Sequence, residues 1–144
     1  MSATVAVQAE LPDLRVALVG NPNSGKTALF NALTGGHQKV ANYAGVTVEK
    51  KEGHLTTPSG RRAKILDLPG TYSLRARSPD EEVTRDVVLG RQTGEALPDV
   101  LVCVADSMNL RLALRLVVEL KAVGRPIILA LNMIDIAQKR GLRI

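Results

Sequence analysis

The sequence contains little cysteine and few aromatic residues. Among its 144 residues there are one cysteine, no tryptophan, one phenylalanine and two tyrosines. A single cysteine excludes an internal disulfide, and because Cys103 lies within the apolar run Val100–Ala105, we expect a small buried side chain with no catalytic role. So few aromatic rings leave almost no surface on which nucleic-acid bases could stack, which argues against a nucleic-acid-binding protein.

Long hydrophobic runs are absent as well. The longest, Val100–Ala105, has six residues, far below the roughly 18 that a transmembrane helix requires. The first residues also lack the basic segment and the apolar stretch of a secretory signal. The sequence therefore predicts neither a membrane span nor export, and a cytoplasmic location is the default expectation.

The charge balance is basic, because 19 Lys and Arg residues outnumber 14 Asp and Glu residues, giving a net charge of +5 and a pI near 9.7. Such a charge is compatible with nucleic acid, anionic lipid or an acidic partner. The basic residues are nevertheless spread over separate groups without aromatic residues between them: Lys50/Lys51, Arg61/Arg62/Lys64, Arg75/Arg77, Arg111/Arg115 and Lys139/Arg140/Arg143. We interpret them mainly as a solvated surface, with direct nucleic-acid binding as the minor alternative.

The length indicates one domain. Residues 1–13 show no periodicity, which predicts a flexible leader, and residues 14–144 then form an α/β domain with a doubly wound, mostly parallel sheet. Five strands are predicted in the spatial order second, third, first, fourth, fifth, with the second antiparallel: Arg15–Val19, Val46–Leu55, Arg62–Leu68, Asp99–Ala105 and Pro126–Leu131. The predicted helices are Lys26–Thr34, a Ser78-capped helix from Pro79 to about Leu89, and Asn109–Val123.

The segment Gly20-Asn21-Pro22-Asn23-Ser24-Gly25-Lys26-Thr27 fits the phosphate-binding pattern of Gly, four residues, Gly, Lys and Ser or Thr. It lies between a predicted strand and a predicted helix, which is the context that this motif needs. Its glycines let backbone N–H groups surround an anion at the positive end of the helix. Lys26 is then placed to reach the β- and γ-phosphates and Thr27 to bind Mg²⁺. A chance glycine-containing turn is the alternative, and the motif in its context predicts nucleotide binding.

Two further positions suit the same site. Asp67 ends an apolar strand in the sequence Asp67-Leu68-Pro69-Gly70, where its carboxylate can approach Mg²⁺ and the Gly70 N–H can contact a γ-phosphate. Thr47 follows the first helix and a loop, and its hydroxyl could close over Mg²⁺ and the γ-phosphate. The alternatives are an ordinary strand-to-turn junction at Asp67 and a strand start at Thr47.

The stretch Asn132-Met133-Ile134-Asp135 directly follows the last predicted strand, which places it at the carboxyl edge of the sheet. A carboxylate there can accept the ring N–H and the amino group of guanine together, whereas adenine offers no such pair of donors. Asp135 therefore favours GTP over ATP, with Asn132 beside it. A helix cap is the alternative role for either residue.

Together these motifs resemble those of the N-terminal GTP-binding (G) domain of the FeoB family of bacterial ferrous iron transporters. The resemblance covers residues 14 to about 138 and is carried by four segments: Gly20–Phe30, Asn42–Glu49, Asp67–Leu74 and Asn132–Asp135. Its most specific parts are Gly45–Glu49 and Asn132–Asp135, because translation and ribosome-assembly GTPases usually carry Lys at the position of Met133. The resemblance implies a P-loop GTPase fold, a three-layer α/β sandwich.

The resemblance also implies roles for individual residues. Thr47 would join Thr27 and Asp67 as a Mg²⁺ contact, and Asn23 would help to hold K⁺ against the phosphates. Asn132 and Asp135 would read guanine. The catalytic assignments are Asn23, Lys26, Thr47 and Gly70. The nucleotide-binding set comprises Asn21, Asn23, Ser24, Gly25, Lys26, Thr27, Ala28, Gly45, Val46, Thr47, Asp67, Gly70, Asn132, Met133 and Asp135.

Two departures from other GTPases affect the expected rates of GTP hydrolysis and of nucleotide release. Thr71 stands where Ras-like proteins carry the glutamine that orients the attacking water, so hydrolysis is expected to be slow, with K⁺ supplying positive charge. Met133 lacks the stem and the ammonium group with which a Lys would brace the base. We therefore expect weaker nucleotide binding and faster release.

The function that the resemblance implies is a Mg²⁺-dependent, slow, K⁺-stimulated GTPase switch that regulates Fe²⁺ uptake. Its partners would be guanine nucleotide, a helical regulatory region and a transmembrane permease, and this chain would be a soluble cytoplasmic part of an inner-membrane protein. Nucleotide state would reorder residues 36–48 and 70–80. An RNA-associated ribosome-assembly GTPase and a non-hydrolysing GTP-binding module are the alternatives.

The chain stops nine residues after Asp135, whereas a complete G domain continues with a further strand, a Ser-Ala loop that supports guanine recognition and a last helix. We therefore expect a domain that is incomplete at its C-terminus. The strand Ile127–Leu131 would then form an exposed apolar edge, which favours self-association.

Overall fold

Six strands and four helices make up the computed structural model, which describes residues 12–142. The strands are β1 Leu14–Gly20, β2 Lys39–Asn42, β3 Glu49–Thr56, β4 Arg62–Asp67, β5 Val100–Asp106 and β6 Ile127–Asn132. The helices are α1 Lys26–Thr34, α2 Pro79–Val88, α3 Leu110–Lys121 and α4 Ile134–Lys139, with a 3₁₀ turn at Ser107–Asn109 before α3.

The helix ends coincide with the signals in the sequence. At the start of α2 the Ser78 hydroxyl accepts the Glu81 N–H at 3.2 Å, and Pro79 occupies the first helical position. This cap satisfies one of the N–H groups that a helix start leaves free. α1 ends at Gly35, whose φ of 67° is left-handed backbone that favours glycine.

The sheet has the strand order β2-β3-β4-β1-β5-β6. β4, β1, β5 and β6 run parallel, and β3 is antiparallel to β4. The predicted order of five strands and the antiparallel orientation of the second are therefore confirmed, as is the mixed α/β class.

The sequence interpretation missed β2 and started β3 too early. β2 pairs antiparallel with β3, from Lys39 opposite Glu52 to Asn42 opposite Glu49. All four β2 residues are exposed, so this strand has no apolar alternation by which it could be recognised. The β-branched run at residues 46–48 was assigned to the second strand, but residues 43–48 instead form a tight loop between β2 and β3.

The register of the parallel strands brings the predicted motifs to one edge. Leu18 of β1 lies opposite Asp67 of β4, Gly20 opposite Val104 of β5, and Asp106 of β5 opposite Asn132 of β6. Because these strands run in one direction, the segments that follow them meet at the carboxyl edge of the sheet, where ligands bind in such folds.

Apolar residues are buried on both faces of the sheet. On one face Phe30 of α1 packs with Leu18 and Ile65. On the other face α2 and α3 cover a larger cluster that includes Val87, Leu116 and the sheet residues Ala17, Val19, Leu66, Leu101 and Cys103. Each fully buried Leu, Ile, Val or Phe contributes about 1.5–3 kcal/mol, so both faces stabilise the strand edge that carries the motifs. Leu112, also on α3, is 41% exposed.

The predicted leader lies almost entirely outside the described residues. Of its last two residues, Asp13 has its carboxylate 3.4 Å from Arg62 Nε and 3.7 Å from His54 Nε2. Between residues 12 and 142 no helix has the length and apolar character needed to cross a bilayer.

Candidate nucleotide-binding site

The turn between β1 and α1 has no room for a side chain at two of its positions. Gly25 has φ 90°, and a Cβ on it would lie 1.8 Å from Asn132 Nδ2. A Cβ on Gly20 would lie 2.7 Å from the Val104 carbonyl oxygen. Asn23 also adopts left-handed backbone, with φ 63°, a conformation that Asn tolerates better than most residues. The two glycines of the motif are therefore required by close packing around the turn.

This turn borders a cavity of about 500 Å³, lined by Asn21, Pro22, Asn23, Ser24, Gly25, Lys26, Thr27, Gly70 and Met133. The first N–H groups of α1 have no partner within the helix and lie at its positive end. The lining thus combines backbone donors with a lysine, the composition expected of a phosphate site. It contains six of the residues that the sequence assigned to nucleotide binding on this turn, together with Gly70 and Met133.

Lys26 and Asp67 form an ion pair beside this cavity. The Lys26 Nζ lies 2.5 Å from Asp67 Oδ1, and the side chains are 10% and 4% exposed. Neighbouring charges that are withdrawn from water interact more strongly than surface pairs. The ion pair therefore holds two groups next to each other: the lysine that would reach phosphate and the carboxylate that would approach Mg²⁺.

A second cavity of about 210 Å³ adjoins the first and shares Lys26 and Thr27 with it. Its lining also includes Asp67 and three polar residues that sequence reasoning left out of the site: Glu49, Lys51 and Asp80. Asp80 lies in the first turn of α2, where the helix dipole favours an acidic side chain. No sequence signal links Asp80 to Lys26, because they are brought together by the packing of α2 against the sheet edge.

The donors around Thr27 fit Mg²⁺. The exposed Thr27 hydroxyl and the Asp67 carboxylate supply oxygen, which is the ligand type that Mg²⁺ prefers. Residues 12–142 hold no cluster of three or more His, Cys, Asp or Glu side chains that could bind a metal alone. Mg²⁺ that is held by one or two protein oxygens, with phosphate and water completing the shell, needs no such cluster.

Thr47, Gly45 and Val46 lie on the exposed loop between β2 and β3. The loop is closed by the Tyr43 N–H, which donates to the Val48 carbonyl at 3.0 Å. Neither cavity has Thr47 in its lining, although the adjacent Val48 lines the second one. The structure thus holds Thr47 near the site without contact, and its role as a Mg²⁺ ligand stays a prediction.

Tyr43 anchors this loop in the core. Its side chain is 2% exposed, and the Lys50 ammonium lies 6.0 Å from the centre of its ring. Burial, followed by the negative charges of Glu95 and Asp67, raises the pKa of the Tyr43 hydroxyl above its ordinary value. Lys50 is in turn paired with Glu95 at 2.6 Å.

The segment that follows Gly70 is held away from the cavity. Thr71 is fully buried, and the single proton of its hydroxyl is shared between two acceptors, Glu81 Oε2 at 2.9 Å and the Ser73 carbonyl at 2.6 Å. The Thr71 N–H donates to the Gly20 carbonyl at 2.9 Å. The side chain at the position of the Ras glutamine is therefore occupied with structural hydrogen bonds and does not orient water in this structure.

Asn132 makes a contact that the sequence did not indicate. Its Nδ2 donates to the Ser24 carbonyl at 3.0 Å, and its Oδ1 accepts the Met133 N–H at 3.0 Å. Asn132 thus braces the phosphate-binding turn from β6. Met133, with φ 59°, lines the first cavity, whereas Asp135 is exposed in the first turn of α4. Guanine reading by Asn132 and Asp135 stays a prediction.

Comparisons with known proteins agree with this geometry. Residues 14–144 match a family model described as Ferrous iron transport protein B. The Fe(2+) transporter FeoB of Escherichia coli (strain K12) is 48% identical over 135 residues, which are 91% of this chain and 17% of that protein. This chain thus spans about a sixth of the length of the curated relatives that it matches.

Solved structures give the same result. The G domain of the T. maritima FeoB iron transporter is 49% identical, with a TM-score of 0.79 over 89% of this chain and 77% of that one. The cytosolic domain of the same transporter has TM-scores of 0.82 in a GDP form and 0.81 in a GMPPNP form, both at 48% identity. Those matches cover 91% and 89% of this chain and 49% and 48% of the others. Because the family model and these relatives span nearly the whole chain, the protein belongs to the FeoB family and has the fold of its G domain.

Proposed function

We propose that this chain binds Mg²⁺–GTP and hydrolyses it slowly. The observation that carries the proposal is the cavity at the start of α1, which Gly25, Lys26 and Thr27 line and beside which Lys26 pairs with Asp67. The GDP and GMPPNP forms of the T. maritima relative support guanine nucleotide as the ligand. Family membership favours this function over a ribosome-assembly GTPase.

In this proposal the nucleotide phosphates lie against the N–H groups of Gly25, Lys26, Thr27 and Ala28, and the Lys26 ammonium exchanges Asp67 for the β- and γ-phosphates. Mg²⁺, when bound, supplies positive charge at the β- and γ-phosphate oxygens. Thr27 and Asp67 position it, and Thr47 joins them once the loop at residues 43–48 rearranges. The Gly70 N–H senses the γ-phosphate.

Slow hydrolysis follows from the position of Thr71. Because its hydroxyl already serves Glu81 and Ser73, no side chain at this position orients the attacking water. Positive charge near the transferred phosphoryl group remains the available means of acceleration. Asn23, which lines the cavity with an exposed side chain, is our candidate ligand for K⁺ in this role.

We further propose that nucleotide state regulates Fe²⁺ uptake by a membrane permease in the longer protein, with a helical region between the two. The name of the E. coli relative, Fe(2+) transporter, supports a transport context. Self-association of the domain through the β6 edge belongs to the same proposal.

The test is single-turnover GTP hydrolysis in Mg²⁺ buffer with KCl or NaCl at equal ionic strength. We expect turnover to be several-fold faster in KCl, and we expect Asn23→Ala to remove the difference. Gln138→Ala, on the exposed side of α4, is the control and should behave as wild type. GTP binding without turnover in either salt would identify a non-hydrolysing module instead.

A further inference from the structure

A single carboxylate on α3 holds the segment of residues 72–75. Glu119 Oε1 accepts the Ser73 hydroxyl at 2.7 Å, and Glu119 Oε2 accepts the Leu74 N–H at 3.1 Å. The Ser73 hydroxyl oxygen in turn accepts the Arg75 N–H at 3.0 Å. Hydrogen bonds to an ionised acceptor are stronger than neutral ones, so Glu119 fixes both a side chain and the backbone of this segment.

The remainder of the segment is held from α2. Glu81 accepts the Thr71 hydroxyl through one oxygen and the Arg77 N–H at 3.0 Å through the other. The Thr84 hydroxyl donates to the Pro69 carbonyl at 2.8 Å. Residues 69–77 are thus connected to two different helices, and Glu119 makes the connections to α3.

The segment begins at the nucleotide cavity. Gly70 lines that cavity, and a Cβ on it would lie 3.0 Å from Pro22 Cα, so its backbone is packed against the phosphate-binding turn. Glu119 lies on α3 next to Leu120, which is fully buried. The α3 end of the connection is therefore rigid, while the segment itself has no regular secondary structure.

We propose that Glu119 is a positioning residue that holds residues 70–77 so that the Gly70 N–H is already directed at the γ-phosphate. This inference rests on the proposed GTP function. A group that is held in place before binding loses less entropy when the ligand arrives. GDP has no γ-phosphate, so loosening the segment weakens binding of the triphosphate and leaves GDP binding unchanged. Through Glu119, a movement of Gly70 between the GDP and GTP states would also be transmitted to α3.

The test compares the dissociation constants of a fluorescent GDP and a fluorescent GMPPNP in Mg²⁺ buffer for five proteins: wild type, Glu119→Gln, Glu119→Ala, Ser73→Ala and the control Glu82→Gln. Glu82→Gln removes a comparable carboxylate charge from the exposed side of α2 and serves as the matched control. Amide hydrogen exchange of peptides that contain Leu74 is measured on the same samples, and thermal melting verifies that each variant is folded.

We expect Glu119→Ala to weaken GMPPNP binding about five- to tenfold and GDP binding less than twofold, with faster exchange at Leu74. Glu119→Gln and Ser73→Ala should give smaller changes in the same direction, and Glu82→Gln none. An unchanged ratio of the two constants in Glu119→Ala, or an equal loss for both nucleotides, contradicts the proposal. If the wild type binds neither nucleotide, the proposed function fails. The amide exchange measurement does not depend on nucleotide binding. Unchanged exchange at Leu74 in Glu119→Ala would therefore refute the connection between this segment and α3 on its own.

Discussion

At the scale of single residues, the nucleotide cavity depends on atoms that come very close to one another. Gly25 is in left-handed backbone and faces the Asn132 amide, which itself binds the Ser24 carbonyl. The missing side chain at Gly25 is what allows β6 to brace the phosphate-binding turn. This contact joins residues 108 positions apart, and a local motif cannot reveal it.

Replacement of Gly25 by alanine is therefore expected to abolish nucleotide binding and to lower stability. Gly94→Ala is a matched control, because Gly94 also has positive φ, +80°, but a Cβ there would meet nothing within 4 Å. The unfavourable backbone alone costs about 1 kcal/mol, and only Gly25→Ala adds the clash with Asn132. Urea unfolding and nucleotide titration of both variants provide the measurement. Equal losses in the two variants would mean that the clash does not matter.

Cys103 provides a second prediction at this scale. The thiol is fully buried in β5, and burial raises its pKa to about 11. Near pH 8 almost none of it is the reactive thiolate. We expect no reaction with a disulfide reagent in the native protein and one equivalent in denaturant, as followed by absorbance. Rapid labelling of the folded protein would contradict the burial of β5.

At the scale of elements, the connection from β2 to β3 is the part of the fold that the sequence predicted least well. The strands around the phosphate-binding turn follow from local signals, namely apolar runs and glycines at fixed spacing. β2 has neither of these signals. It is stabilised instead by pairing with β3 and by Tyr43, whose ring is buried in the core. Likewise, the hydrogen bonds from Glu119 to Ser73 and Leu74 depend on packing between distant elements.

Two substitutions at Tyr43 separate the contribution of its ring from that of its hydroxyl. The Tyr43 hydroxyl is buried without a hydrogen-bond partner among the described residues. Tyr43→Phe removes a buried polar group and should leave stability unchanged or slightly higher. Tyr43→Ala leaves a cavity and should cost about 3–5 kcal/mol. Thermal and urea unfolding test both, and a large loss in Tyr43→Phe would mean that the hydroxyl is bonded after all.

At the scale of the whole molecule, the described sheet ends at β6, which is paired on one side only. Ile128, Leu129 and Leu131 are 56%, 41% and 39% exposed. An apolar edge strand is a template for pairing with another chain. We propose that concentrated solutions of this chain contain dimers, and that Ile128→Lys shifts them to monomer. Sedimentation at several concentrations decides this, and a wild type that stays monomeric at every concentration contradicts it.

The proposed function requires that the cavity at the start of α1 selects guanine nucleotide. The most direct measurement is a fluorescence titration of the chain with labelled GTP and labelled ATP in Mg²⁺ buffer, repeated with Lys26→Ala and Asp135→Ala. We predict binding of GTP but not ATP by the wild type, loss of GTP binding in Lys26→Ala, and loss of the preference for GTP in Asp135→Ala. Equal affinity of the wild type for GTP and ATP, or undiminished binding by Lys26→Ala, would contradict the account.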